Sequence, residues 1–438
     1  MKLYKFFIFV FFLSSCSSNC VNRLYKKKPA FYSYIVGNIN NDRIDKEYNS
    51  DVYASPASCQ KVITALLSFK ILGPGYRYKT KLLVKEKNGH IYNAVIEFTG
   101  DPTLTSENLR VLLEPLRGKN IAGKIILDAS IFKTPAHSTY LMISDIGKES
   151  ARPVSATIID RNLINIDIIP TKLGEIAQIK SDAECNIDNN IVTSKEKSIC
   201  SIRLVGDDFV GRGNLNIDDV SFKISISPKK IDTYILDKIR KITKELNIKG
   251  DIYIEHNKSN LPLRLKEFSS TLSEPISNII PAAMKISDNL VFDSLYLNIV
   301  HQVKPEGIDD WSDGDFVIRN LLKTHYNIDL GKSLVIDGSG ISRYNRIQPK
   351  ILYKILQKAY LQKEFLDSLP KNAENGSTLV NRKLQDGIRA KTGSAAGVAC
   401  LCGYNIDTSK IFVIIANGFA PPTKEMHEII DDFVKQNL

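Results

Sequence analysis

The sequence predicts a mixed α/β fold in which one helix-bearing domain is interrupted by a large strand-rich insertion. Three observations predict it. Apolar stretches of helical length lie on both sides of the middle of the 438-residue chain. Between about residues 77 and 230 they give way to short alternating runs, the signature of half-buried strands. The tail then carries three strand-like runs closed by a last helix. A chain of this length is also too long for a single compact core.

The elements follow in order. Lys2 and Lys5 flank the start of an apolar run, Phe6 to Leu13, too short to span a bilayer but suited to the h-region of a signal peptide. Residues 1–15 are therefore set aside as a signal peptide. The run ends in Leu13-Ser14-Ser15-Cys16, which resembles a bacterial lipobox. Two outcomes stand: lipidation of Cys16 and attachment to a membrane, or cleavage at the small residues and a soluble periplasmic protein. Either outcome means export.

Gln60 to Lys70 reads as a buried helix stopped by Gly73-Pro74-Gly75. Strands are expected at 81–84, 92–98, 124–128 and 250–256, with helices near 106–117 and 235–247. Helices return up to Lys285, then at 289–303, 313–325 and 349–360. Strands at 388–393, 398–404 and 411–416 precede a helix from about 423 to the C-terminus. The expected division is a discontinuous domain, 21–80 with 270–438, around an inserted region, 81–269.

Composition narrows the function classes. Apolar residues at 43% and charged residues at 24% are ordinary for a folded protein. The formal charge of +11 comes from residues spread along the whole chain, without helix-turn-helix or zinc-finger spacing, so nucleic acid is not an expected partner. Seven cysteines stand at 16, 20, 59, 185, 200, 400 and 402. Cys185 and Cys200 bracket a polar stretch and form the candidate disulfide of an exported protein. Cys400 and Cys402 share one face of a strand, and none of the six scattered histidines keeps ligand spacing with them. No metal and no organic cofactor is expected.

Three short motifs carry the chemistry. Ser58-Cys59-Gln60-Lys61 is S-x-x-K, Ser287-Asp288-Asn289 is S-x-N, and Lys391-Thr392-Gly393 is K-T-G. On a helix, Lys61 falls one turn after Ser58 on the same face. A serine hydroxyl needs an adjacent base to act as a nucleophile. A lysine serves when burial and neighbouring cations favour its neutral form. Backbone N–H groups at the helix start suit a developing oxyanion. Ser287 and Asn289 fall between two helices. Lys391 offers a fixed charge to a carboxylate, and Gly393 leaves room for a substrate backbone. Each motif alone arises by chance in many proteins. All three in this order, each on the element its chemistry needs, match the set shared by penicillin-binding proteins and class A β-lactamases.

Further blocks extend the match: Ala54-Ser55-Pro56-Ala57-Ser58-Cys59-Gln60-Lys61-Val62, Gly100-Asp101-Pro102-Thr103-Leu104, Asp160-Arg161-Asn162, Asp337-Gly338-Ser339-Gly340-Ile341-Ser342-Arg343 and Lys391-Thr392-Gly393-Ser394. With them the sequence, from about residue 50 to 420, resembles the class C low-molecular-mass penicillin-binding proteins, the D-alanyl-D-alanine carboxypeptidase/endopeptidase family. The resemblance implies a penicillin-recognising serine transpeptidase-like domain, an antiparallel sheet flanked by helices, interrupted by two nested smaller domains. It implies acylation of Ser58 by peptidoglycan stem peptides or by β-lactams, with Lys61 as base and Ser287 as proton relay beside Lys391. Asn289 is implied to bind the peptide backbone, Lys391 and Thr392 the carboxylate side. The backbone N–H groups of Ser58 and Ser394 are the implied oxyanion hole. Asp145 and Arg343 are candidates for reading the diaminopimelate branch, or else they are surface charges or members of ion pairs.

Two departures from the family pattern stand out. Cys59 replaces a usual threonine and, some 100° around the helix from Ser58, reads as a packed side chain rather than a second nucleophile. The aromatic residues expected before Asp145 are replaced by Leu141-Met142-Ile143-Ser144. Two rivals remain: a serine β-lactamase, and a non-catalytic cell-wall-binding lipoprotein. The first lacks support because Glu306, Glu364 and Glu374 do not sit in a deacylating glutamate loop. The second is disfavoured by the completeness of the motifs.

Overall fold

The computed structural model describes Leu24 and residues 28–438. The signal peptide expected at 1–15 and Cys16 lie outside the described residues. The chain divides into two compact units. The first takes the chain up to Pro74, Ser277–Asp288 and Asp315–Leu438, and the second takes Gly75–Ile276 and Asn289–Gly314. Residues 289–314, assigned from sequence to the first domain, group with the second.

With elements numbered in chain order, the first unit is built on an antiparallel sheet of β1 (Phe31–Asn38), β2 (Ile44–Tyr48), β14 (Ile388–Ala395), β15 (Val398–Asn405) and β16 (Lys410–Asn417). The strand order is β14-β15-β16-β1-β2, which leaves β14 on an edge. All eight residues of β15 are buried, because helices cover both faces of the sheet. Ala399 and Leu401 join a core with Met426, Ile430, Phe433 and Val434 of α9 (Thr423–Asn437). On the opposite face, the Tyr404 hydroxyl donates to the Leu356 carbonyl at 2.6 Å, tying β15 to α7 (Pro349–Ala359). That face also carries Cys400 and Cys402, both buried. Helix α1 (Lys61–Ile71) is buried from Lys61 to Phe69, so its apolar residues run all round it. Helices α4 (Ile276–Ile286), α6 (Gly314–Tyr326) and α8 (Lys363–Ser368) complete the helical part.

The second unit contains a five-stranded sheet ordered β12-β5-β4-β3-β13. Its strands are β3 (Lys79–Lys87), β4 (His90–Glu97), β5 (Asn120–Asp128), β12 (Lys249–Glu255) and β13 (Lys266–Leu272). The β4–β5 and β5–β12 pairs are parallel, so helices make the connections: α2 (Ser106–Leu113) and α3 (Ile231–Glu245). Between β5 and β12 the chain forms two small sheets. One comprises β6 (Ile164–Ile169), β7 (Gln178–Ser181) and β11 (Phe222–Ile226); the other comprises β8 (Ile187–Ser194), β9 (Ile199–Val205) and β10 (Asp208–Asn216). Helix α5 (Asn289–Val303) is buried from Leu290 to Val300, and its Ser294 hydroxyl donates to the Gly100 carbonyl at 2.5 Å.

The family-like blocks at 100–104 and 160–162 shape this unit's backbone. Asp101 accepts from the Thr103 N–H at 2.8 Å and from its hydroxyl at 2.6 Å, which closes a turn. Asp160 to Asn162 all have positive φ. That strained run is held by the Ser106 N–H, 2.8 Å from Asp160, and by Lys238 at 3.1 Å.

The disulfide expected between Cys185 and Cys200 is not formed; both thiols are free. The polar stretch between them is a strand, β8, rather than a loop, and it carries them apart. Cys200 pairs in register with Gly213, and Gly213 with Ile191. Cys185 precedes Ile191 by six residues, roughly 20 Å of extended chain, where a bridge needs Cα atoms within about 7 Å.

Candidate active site

In the first unit the S-x-x-K motif begins in a 3-10 turn, Ala57–Gln60, that runs straight into α1. The turn presents Ser58, partly exposed, while Lys61 is fully buried. Lys61 Nζ donates to Ser58 Oγ at 2.8 Å and to the Ser339 carbonyl at 2.7 Å. The amine is thus held on the hydroxyl by a second, distant segment of chain.

That segment is the Asp337-Gly338-Ser339-Gly340 block. The Asp337 carboxylate accepts from the Gly340 N–H at 2.6 Å, the Ser342 N–H at 2.7 Å and the Asn345 amide at 3.0 Å. Burial pushes the Asp337 carboxyl up, while these donors and the Lys61 charge pull it back. The loop so fixed aims the Ser339 carbonyl at Lys61 and the Gly338 carbonyl at the Thr64 hydroxyl, 2.8 Å away. Gly340 has φ +84, and a Cβ there would lie 1.9 Å from the Ala57 carbonyl oxygen. Only glycine lets this loop lie against the turn that carries Ser58.

The K-T-G strand β14 approaches the same turn. Cys59 Sγ donates to the Lys391 carbonyl at 3.2 Å, and a Cβ on Gly393 would come within 2.6 Å of the Pro56 carbonyl oxygen. Cys59 is fully buried, so it packs the strand against the turn rather than facing solvent. Lys391 is fully buried too; its Nζ donates to Ser287 Oγ at 2.9 Å and to the Thr392 carbonyl at 2.7 Å. Burial lowers its pKa from 10.5 to about 8, against the partial pull of Cys59, Cys402 and Cys400. Ser287 sits at the end of α4 with φ +61, a conformation that costs a non-glycine residue energy and recurs at functional sites. Two amine–hydroxyl pairs, Lys61–Ser58 and Lys391–Ser287, therefore flank the contact between β14 and the turn before α1.

The remaining predicted residues are placed as follows. The Thr392 hydroxyl donates to the Thr378 hydroxyl at 2.8 Å, and Ser394 Oγ lies 2.8 Å from His427 Nε2. Arg343 donates to the Ala396 carbonyl at 3.4 Å, in the turn after β14. Asn289 begins α5 in the second unit, where its amide donates to the Ser150 carbonyl at 2.7 Å. Asp145, also in the second unit, is paired with Lys148 at 2.7 Å. Sequence reasoning missed Thr378, His427 and the role of Ser339. Ser339 alone carried a signal, its place in the Asp-Gly-Ser-Gly block.

The family model described as the D-Ala-D-Ala carboxypeptidase 3 (S13) family matches residues 22–437. The D-alanyl-D-alanine carboxypeptidase DacB of Haemophilus influenzae is 28% identical over 418 residues, covering 88% of this chain and 85% of that protein. The D-alanyl-D-alanine carboxypeptidase of Actinomadura sp. (strain R39) is 22% identical, covering 84% of this chain and 74% of that one. Among solved structures, penicillin-binding protein 4 (dacB) from Haemophilus influenzae superposes with a TM-score of 0.83 at 24% identity, over 95% of this chain and 98% of its own. A predatory peptidoglycan endopeptidase from Bdellovibrio bacteriovorus superposes with a TM-score of 0.52 at 16% identity, over 93% and 94% of the two chains. These two likenesses show the fold.

Proposed function

Because the chain belongs to the D-Ala-D-Ala carboxypeptidase 3 (S13) family, we propose that Ser58 is the acylated nucleophile of a serine D-alanyl-D-alanine carboxypeptidase and endopeptidase acting on peptidoglycan stem peptides. The observation that carries the assignment is the 2.8 Å contact between Lys61 Nζ and Ser58 Oγ, with Lys61 buried. In this reading Ser58 Oγ attacks the carbonyl of the penultimate D-alanine and Lys61 Nζ takes its proton. The backbone N–H groups of Ser58 and Ser394 receive the oxyanion. The tetrahedral intermediate collapses when the leaving amine gains a proton through Ser287, whose hydroxyl is held by Lys391. D-alanine, or the crosslinking amine, departs, and water hydrolyses the acyl-serine.

Lys391 and Thr392 hold the substrate carboxylate, and Asn289 binds its backbone. Edge strand β14, whose Ala390 N–H already donates to the Pro370 carbonyl, offers an extended peptide its outer end beyond that point. Arg343 and Asp145 read the diaminopimelate branch in the same proposal, Asp145 after exchanging its Lys148 partner. A β-lactam, with its reactive carbonyl and carboxylate, acylates Ser58 by the same path and stays bound as an inhibitor. The N-terminal segment directs the chain to the periplasm, where a lipid on Cys16 holds it at the membrane.

The test is intact-mass measurement after incubation with a fluorescent penicillin, beside Ser58→Ala. One stable penicillin per chain is expected, absent from the variant, whose stability should stay within about 0.5 kcal/mol because Ser58 is a partly exposed turn residue. An adduct that survives in Ser58→Ala would overturn the assignment. Rapid turnover of the penicillin without an adduct would replace it with a β-lactamase.

A further inference from the structure

In β14, Thr392 and Ser394 are two residues apart and share a strand face. Thr392 is buried, whereas Ser394 is exposed. An exposed serine hydroxyl ordinarily rotates among rotamers, yet Ser394 Oγ lies 2.8 Å from His427 Nε2. His427 is held in turn. It lies one turn before Asp431 on α9, and the Arg382 guanidinium contacts Asp431 through Nε at 2.8 and 2.9 Å. The same guanidinium reaches the His427 carbonyl at 3.5 Å. Both Arg382 and Asp431 are nearly buried, with side-chain exposures of 8% and 5%. The imidazole therefore projects from a helix pinned in place, onto the outer end of the K-T-G strand.

We infer that His427 is a positioning residue for substrate carboxylate recognition, orienting the Ser394 hydroxyl according to its own protonation state. The inference rests on the acyl-serine reading above. A neutral ring can accept the Ser394 proton, and the hydroxyl then has no donor left for a ligand. A protonated ring can only donate. It gives Nε2–H to Ser394 Oγ, turns the hydroxyl proton outward, and places a positive charge behind it. Both changes favour an anionic group lying along β14.

The charged groups facing His427 are Arg382 and Asp431. Burial and the Arg382 charge lower the imidazole pKa below its ordinary 6.5, and Asp431 pulls it partly back. The outward hydroxyl thus belongs to mildly acidic conditions.

The test uses the full chain and a stem peptide ending in D-alanyl-D-alanine, with KM and kcat measured from pH 5 to 8 for wild type, His427→Gln, Ser394→Ala and the double variant. Glutamine keeps a neutral hydrogen-bonding group at this half-buried site, so folding is preserved. The KM of His427→Gln relative to wild type is expected to be near one at pH 8 and to rise about tenfold by pH 5, with the kcat ratio flat across the range. In the Ser394→Ala background the same substitution should keep only the smaller part of that rise, the part the imidazolium charge carries without the hydroxyl. A KM ratio independent of pH, or a loss confined to kcat, would overturn the inference. Failure of wild type to form a penicillin adduct at Ser58 would instead strike the underlying reading, so the two failures are distinguishable.

Discussion

At the scale of single residues, Lys391 makes the sharpest demand on the protein. An ammonium with no exposed surface stands against its own hydration, and its pKa of about 8 records that cost. If its charge holds the substrate carboxylate, acylation by penicillin should fall progressively above pH 8, read as the second-order rate of adduct formation. Stability moves the other way. The folded pKa lies below the unfolded value of 10.5, so between pH 8 and 10.5 the unfolded chain binds more protons than the folded one. Folding stability should therefore rise with pH across that window, by up to ~3 kcal/mol. Urea unfolding of wild type and Lys391→Met checks this: wild type should gain on the variant between pH 8 and 10, and parallel curves would refute it. The charge-bearing residues themselves were legible, because S-x-x-K and K-T-G are local spacings. Their partners were not. Ser339 reaches Lys61, and Thr378 reaches Thr392, by tertiary folding that no local pattern encodes.

Among the elements, α9 shows how the tail is secured. Its apolar side joins the sheet core, and the buried Arg382–Asp431 pair fixes it to the segment before β14. Replacing Arg382 by alanine leaves the buried Asp431 carboxylate with the Lys383 N–H but without the arginine's counter-charge, an expected loss of about 3–5 kcal/mol, measurable by urea unfolding. A loss below about 1 kcal/mol would mean that water takes the arginine's place. The tail strands and helices were legible to within one or two residues, since their apolar runs are long and bounded. β1 and β2 were not assigned. β1 has six consecutive buried residues, and a strand covered on both faces shows no period-two alternation to read. The stretch between Cys185 and Cys200 failed for the opposite reason. Its asparagines and aspartates look like loop residues, yet β8 is fixed by pairing with β10.

For the whole molecule, the interrupted plan was legible as a change from helical to alternating patterns, but the return of residues 289–314 to the second unit was not. Those residues are as apolar as the helices around them, so only packing assigns them. The free thiols give a test at this scale. After denaturation without reductant, alkylation should label both Cys185 and Cys200, and a peptide linking them by a disulfide would contradict the strand register.

The sheet of the first unit also has a bearing on how the polypeptide is made. β1 pairs along its length with β16, Phe31 opposite Asn417 and Asn38 opposite Lys410. A chain leaving the ribosome N-terminus first exposes the Tyr32–Val36 strand long before its partner exists. Ser58 and Lys61 are likewise translated long before the strand that seats Lys391 against their turn. A polypeptide released before residue 410 therefore carries the nucleophile and its amine without the closed sheet around them, and translation itself withholds the finished site until β16 has been made.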